Sequence, residues 1–269
     1  MKDRPQHTSG FSRPRAPRPA KPDHHVIIGM RPLAEAIAAG KVMDKVFVQK
    51  GLRGELFREL RELLGNHGIP FQQVPEEKLN RITSRNHQGV IAFVSPIDFG
   101  DISEVLAATF ESGEIPKFLM LDGVTDVRNF GAMCRTAEAL GFHAVVVPEK
   151  SSAAINEDAV KTSAGALFNI SVCRTGSLIN TSKYLQESGL RLLAASEKGS
   201  TSPHEVNLNG PICVIMGNEE KGISNDLIRI SDELVRIPMS GKTSSLNVSV
   251  AAGILMYEIN RQRFTQGAV

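Results

Sequence analysis

The chain has 269 residues, of which 41% are hydrophobic, enough to bury a sizeable core and to form two domains. No uninterrupted apolar run approaches the ~18 residues of a membrane span, and three widely spaced cysteines argue against a disulfide framework or a Cys-built zinc site. The net charge of +2 is uneven: residues 1–23 carry 6 Lys/Arg against 2 acids, residues 24–98 carry 10 against 8, and residues 99–269 carry 15 against 19. Long-range attraction for a polyanion therefore resides in the front of the molecule.

In chain order, residues 1–23 (MKDRPQHTSGFSRPRAPRPAKPD) are polar, Pro-rich and basic, and read as a disordered tail. It is either a solvated leader or a weak RNA contact. From His25 the pattern becomes strand–helix: HHVIIG, then a helix with Pro32 in its first turn and Gly40 past its end. DKVFVQKG is a strand. ELFRELRELLGNHG is an amphipathic helix with Leu56, Leu60, Leu63 and Leu64 on one face. IPFQQVP and GVIAFVSP are further strands, so residues 24–98 form a small α/β domain. Residues 99–114 read as a linker helix. From Ile115 the alternation becomes regular, with apolar strands KFLMLDG, AVVVPE, NISVCR, RLLAAS, PICVIMGN and ELVRIPM. Near-continuous apolar strands separated by helices indicate a buried, mainly parallel sheet, with ligands at its carboxyl edge.

Three of those strand ends carry unusual loops. In LDGVTDVRNFGAMCRTAEALG a helix is expected to start near Asn129, and small residues including Gly131 and Ala137 permit close packing. Asn129 and Arg135 can bracket a common edge; taken alone, the first also reads as a helix cap and the second as half of a surface ion pair. In VIMGNEEKGIS, Gly217 allows a ligand near the backbone and Glu219 sits where the sheet opens, although a surface turn accounts for the same residues. In IPMSGKTSSLNVSVAAGILMYEI, Ser244 or Ser245 would cap the last helix, leaving Asn247 surplus to that task. The helix is apolar around much of its circumference, so it wants cover on more than one face. His24, His25, His67, His87, His143 and His204 form no metal-ligand pattern, and no metal is expected.

The segments NFGAMCR, IMGNEEKGIS and IPMSGKTSSLNVSVA resemble, in order and spacing, the three motifs of the TrmH (SpoU) family of SPOUT-class RNA 2′-O-ribose methyltransferases. The resemblance covers residues 115–269; residues 24–98 are similar to the family's RNA substrate-binding domain, related to RNA-binding ribosomal proteins. One departure is Val127, where many relatives have proline after the loop aspartate. The resemblance implies an α/β SPOUT domain with a C-terminal trefoil knot, a homodimer, a cytoplasmic location and S-adenosylmethionine as cofactor. By motif, Ser196, Met216, Gly217, Ile237, Met239 and Leu246 would hold the cofactor. Asn129, Arg135, Glu219, Ser245 and Asn247 would be catalytic. The substrate implied is a guanosine of 23S rRNA, with tRNA as a related alternative and a non-catalytic RNA-binding protein of the same fold as another. For the RNA side, RITSRNHQGV (81–90) gathers polar and basic side chains before a strand, making Arg81, Arg85 and Asn86, with Arg31, the candidate contacts.

Overall fold

The computed structural model describes residues 26–243 and 245–265. The expected tail and the candidate cap Ser244 lie outside the described residues. The front domain is built from β1 (Val26–Ile28), α1 (Met30–Ala38), β2 (Met43–Gln49), α2 (Glu55–Asn66), β3 (Gln72–Val74), α3 (Glu76–Ile82) and β4 (Val90–Val94). Its sheet has the order β1-β4-β2-β3, with β4 antiparallel to both neighbours and β2 parallel to β3. The two-residue period of β2 divides its side chains. Val46 and Val48 pack with Leu33, Ile37, Leu60 and Leu64 under α1 and α2, while Phe47 packs with Val74, Leu79 and Ile91 under α3. Helix α3 is absent from the sequence reading because seven residues hold too few apolar positions to display a period.

The second domain contains β5 (Lys117–Asp122), β6 (Ala144–Pro148), β7 (Ser171–Thr175), β8 (Arg191–Ala195), β9 (Ile212–Gly217) and β10 (Glu233–Val235). They form one parallel sheet in the order β10-β8-β9-β5-β6-β7. Strand alternation again sends side chains to two cores. Leu119 and Leu121 meet α5 (Val127–Ala139), α6 (Glu157–Thr162) and α9 (Val248–Thr265); Phe118 and Met120 face α4 (Ile102–Glu111), α7 (Leu178–Glu187) and α8 (Asn225–Ile230). The helix expected as a linker is α4, and its Leu106 is buried in this second layer. Strand β10 stops at Val235, short of the expected end at Met239. Arg236 donates its N–H to Thr201 O instead of to a strand, and Pro238 has no N–H to offer.

The thin face of α5 has a specific use. A Cβ on Gly131 would lie 2.0 Å from Thr162 Oγ1 and 3.0 Å from the Ala159 carbonyl oxygen, so α6 sits against bare backbone. Gly131→Ala should therefore overpack this contact and destabilise the protein by about 1–3 kcal/mol, despite alanine's better helix propensity. A lowered urea midpoint with an unchanged m-value is the expected result; a midpoint at or above that of the unsubstituted protein would refute this packing argument.

Candidate active site at the carboxyl edge of the sheet

Strands β5, β9, β8 and β10 end side by side, and the loops after them form the carboxyl edge. The loop after β9 is pinned from below. Asn218 and Gly222 exchange backbone hydrogen bonds, Asn218 Nδ2 donates to Gly123 O at 2.9 Å, and Asn218 Oδ1 accepts from the N–H groups of Glu220 and Lys221. Asp122, at the end of β5, accepts from Ser224 N at 2.7 Å. A Cβ on Gly217 would fall 2.2 Å from the Gly222 carbonyl carbon, so only glycine lets the strand end and the returning loop meet this closely. These contacts hold Glu219 at the loop tip.

Helix α5 begins two residues before Asn129. Its cap is Asp126, whose Oδ1 accepts from Arg128 N at 2.8 Å and Asn129 N at 3.0 Å. The Asn129 side chain is thereby free of capping duty. Its Nδ2 donates to Glu219 Oε1 at 2.6 Å, and its Oδ1 accepts from Asn247 Nδ2 at 3.0 Å. Asn247, read from sequence as surplus to capping, is itself the cap of α9. Its Oδ1 accepts from Ser249 N at 3.0 Å and Val250 N at 3.4 Å, and its carbonyl accepts from Ala251 N. Ser245 does not cap the helix.

Both amides in this network have their orientation forced. An ionised carboxylate only accepts, so Glu219 demands the NH2 end of Asn129. Asn129 then presents its oxygen, which demands the NH2 end of Asn247. Asn247 is left with its oxygen for two helix N–H groups, the partners that a cap requires. One residue from each loop, separated by 90 and 118 positions in the chain, thus joins a single directed network open to solvent.

Arg135 and Ser245 are not brought into it. Arg135 is exposed on α5, six residues beyond Asn129, and makes no ion pair with a described residue; Ser245 is exposed and makes no hydrogen bond to one. Of the expected cofactor residues, Met216 and Gly217 are buried at the end of β9. Ser196 follows β8, donating its N–H to Val235 O and accepting from Lys198 N with its hydroxyl. Ile237 is half-buried, while Met239 and Leu246 are exposed. The backbone polar groups of Ile237, Met239 and Leu246 make no hydrogen bond to other described residues. Free backbone donors and acceptors beside apolar side chains suit a ligand with an aromatic ring and polar ring edges, such as an adenosyl group.

The candidate RNA residues surround the 83–89 loop of the front domain. Arg31 lies on α1, which covers one face of that sheet, and Arg81 lies on α3, which covers the other. Both are exposed, as are Arg85 and Asn86 between them. Arg85 shares a recess of about 460 Å³ with Lys41. His87 braces the loop: its Nδ1 accepts from Gly89 N at 3.0 Å, so its Nε2 carries the hydrogen donated to Asn80 Oδ1 at 3.0 Å. The three thiols are buried, and burial pushes Cys173 and Cys213 up to about 12 and Cys134 higher still, so none is poised as a nucleophile. Among the described residues no cluster could hold a metal ion, and no helix is long and apolar enough to cross a membrane. Asp122, Asp126 and Asn218 escaped the sequence reading. Asp126 was detectable as a capping aspartate two residues before Arg128; the other two act through contacts distant in the chain.

Residues 116–257 match the SpoU rRNA Methylase family, and residues 26–99 match the RNA 2′-O ribose methyltransferase substrate-binding family. This chain belongs to the SpoU methylase family. A putative TrmH family tRNA/rRNA methyltransferase of Staphylococcus saprophyticus is 32% identical over 238 residues, covering 88% of this chain and 96% of its own. Among solved structures, the SpoU methyltransferase AviRb of Streptomyces viridochromogenes superposes with a TM-score of 0.57 at 25% identity over 90% of both chains; AviRb has also been solved in complex with AdoMet. The A. aeolicus TrmH/SpoU tRNA modifying enzyme gives a TM-score of 0.53 at 28% identity, over 62% of this chain and 86% of that one. The enzyme is an RNA 2′-O-ribose methyltransferase that uses S-adenosylmethionine as methyl donor.

The directed network makes a separable prediction. Asn247→Asp keeps an N-cap oxygen but turns an acceptor toward Asn129, whereas Asn247→Ala removes both functions. The alanine variant should lose about 1 kcal/mol of stability and the aspartate variant little. Both should lose methyl-transfer activity by about 10- to 100-fold, the scale of a misplaced active-site group. Thermal melts paired with initial rates check this; an active Asn247→Asp enzyme would refute the assigned amide direction.

Proposed function

We propose that this chain methylates a guanosine ribose of 23S rRNA, as an enzyme of the RlmB type, and that Asn129, Arg135, Glu219, Ser245 and Asn247 form its catalytic set. The supporting observation is the Glu219–Asn129–Asn247 network, which joins the three motif loops beside the strand ends that carry Ser196, Met216 and Gly217. S-adenosylmethionine supplies an already activated methyl group. What the protein must add is a positioned ribose whose 2′-oxygen becomes a better nucleophile. Arginine remains protonated at any working pH, so Arg135 is no ordinary base. It binds the RNA phosphate next to the target and favours developing negative charge on the 2′-oxygen. Asn129 and Asn247 hold the ribose in line, Glu219 orients them, and Ile237, Met239 and Leu246 cradle the cofactor.

The ribosomal reading rests on the front domain. The likeness to the A. aeolicus tRNA modifying enzyme covers 62% of this chain, whereas the S. saprophyticus relative, named for tRNA/rRNA, spans 88% of it. Arg31, Arg81, Arg85 and Asn86 would hold the RNA by its backbone. The proposal includes a homodimer in the cytoplasm. Val250, Ile254, Tyr257 and Phe264 lie on one face of α9 and are 50%, 39%, 61% and 65% exposed. That apolar stripe suits a second copy of the same helix. Helix α9 packs against α5, the helix that carries Arg135.

Tritiated methyl transfer into total RNA, followed by fractionation, tests the reading. Label should enter 23S rRNA; label confined to tRNA would support the related alternative, and no transfer would support a non-catalytic binder. Arg135→Ala should abolish turnover while calorimetry shows cofactor affinity unchanged within about threefold; near-normal methylation by this variant would reject the assignment. For the front domain, Arg85→Ala should weaken RNA binding and reduce the salt slope by about 1, the signature of one lost phosphate contact.

A further inference from the structure

The front domain and the catalytic domain are joined covalently by a short segment, yet one buried guanidinium grips both domains and the segment. Arg174 lies on β7, the edge strand of the large sheet. Its Nη2 donates to Asp44 Oδ1 at 2.7 Å, and its Nη1 donates to Asp44 O at 3.0 Å and Met43 O at 3.4 Å, all on β2 of the front domain. The same guanidinium stacks over the ring of Phe99, 3.6 Å from its centroid. Asp44 stands where the pairing register of β2 with β4 shifts, between Met43 and Lys45. An irregularity of this kind re-aims a side chain and frees a carbonyl from the ladder, and here both turn to Arg174. The next residue adds a second tie, Lys45 Nζ to Ser152 O at 3.1 Å. The segment between the domains is also fixed, with Ser95 N donating to Val42 O and Gly100 N to Val172 O.

Such a pair is a poor device for stability alone. The Asp44 and Arg174 side chains are only 2% and 11% exposed. Burial pushes the Asp44 carboxyl up against the pull of Arg174 and Lys45, and pushes Arg174 down against the pull of Asp44. The remaining charge around Arg174 is Glu149, and that around Lys45 is Lys78. An apolar contact of equal size would contribute as much stability with less desolvation, without fixing one placement of the domains. What the fork adds is direction: three oxygens and one ring are satisfied together at only one placement of β2 against β7.

We propose that Asp44 and Arg174 are substrate-positioning residues. Their clamp sets the placement of the RNA held by the front domain relative to the Asn129 network. Neither residue touches the reacting atoms. The inference rests on the front domain being the RNA-holding part, and the test separates the two claims.

The full-length protein is labelled with spin probes at Glu62→Cys on α2 and Glu187→Cys on α7, both exposed positions, while the three native thiols are buried. Labelled chains are diluted with unlabelled protein so that distances within one chain dominate. Double electron–electron resonance should give one narrow distance for the parent and a broad distribution for Asp44→Leu/Arg174→Met, which replaces the pair with apolar residues. In parallel, kcat/KM on unmodified rRNA transcribed in vitro should fall at least tenfold while cofactor affinity stays unchanged. A narrow distribution or a parental kcat/KM in the folded double variant overturns the proposal. Should the double variant fail to fold, Arg174→Lys decides. Lysine keeps the charge but cannot reach three oxygens or stack flat, so the distribution should broaden and kcat/KM should fall; parental values there also overturn the clamp. A parent protein without methyl transfer would sink the enzymatic reading, yet leave the distance measurement to judge the clamp.

Discussion

Everything at the carboxyl edge depends on one asymmetry: a carboxylate can only accept. Glu219 turns the Asn129 amide, Asn129 turns Asn247, and Asn247 finishes by capping α9. The cap of a long helix and the link between three motif loops are therefore one network. Moving Glu219 would disturb the start of a helix 28 residues later in the chain, because the network and not the sequence connects them. The loop bearing Glu219 is correspondingly rigid, held by Asn218 on Gly123 and by Ser224 on Asp122.

Rigidity at one edge is useful only if the substrate arrives in a matching place. The front domain presents its exposed arginines around a loop braced by His87, and it joins the catalytic sheet at the edge farthest from β10. The Arg174 fork spans that joint with contacts from β2, from the connecting segment and from β7. Two kinds of polar interaction thus hold two different joints. Exposed amides and a carboxylate tie three loops together, and a buried ion pair ties the two domains.

The comparison of sequence with structure follows the range of each signal. Apolar strands such as KFLMLD and ICVIMG were legible because burial on both faces demands continuous hydrophobicity, and nothing else produces it so economically. The amphipathic α2 was legible from the spacing of its leucines. Helix α3 was hidden by its brevity. Caps were less legible. Asp126 caps α5, although Asn129 also read as a possible cap, and Asn247, read as surplus to that task, caps α9, since several adjacent polar residues are equally able to cap and only the folded backbone selects one.

By itself, the sequence determined the class of fold, the order of strands along the chain, the basic front end and, through three short motifs, the family and its chemistry. These are local properties, carried by period, composition and turn residues. Tertiary structure alone decided that Asn129, Glu219 and Asn247 form a directed network while Arg135 and Ser245 stand outside it within one chain. It also decided that Asp44 meets Arg174, 130 residues away. Hydrogen bonds over such separations have no periodic trace in sequence, because their partners are chosen by the packing of the sheet and not by their neighbours in the chain.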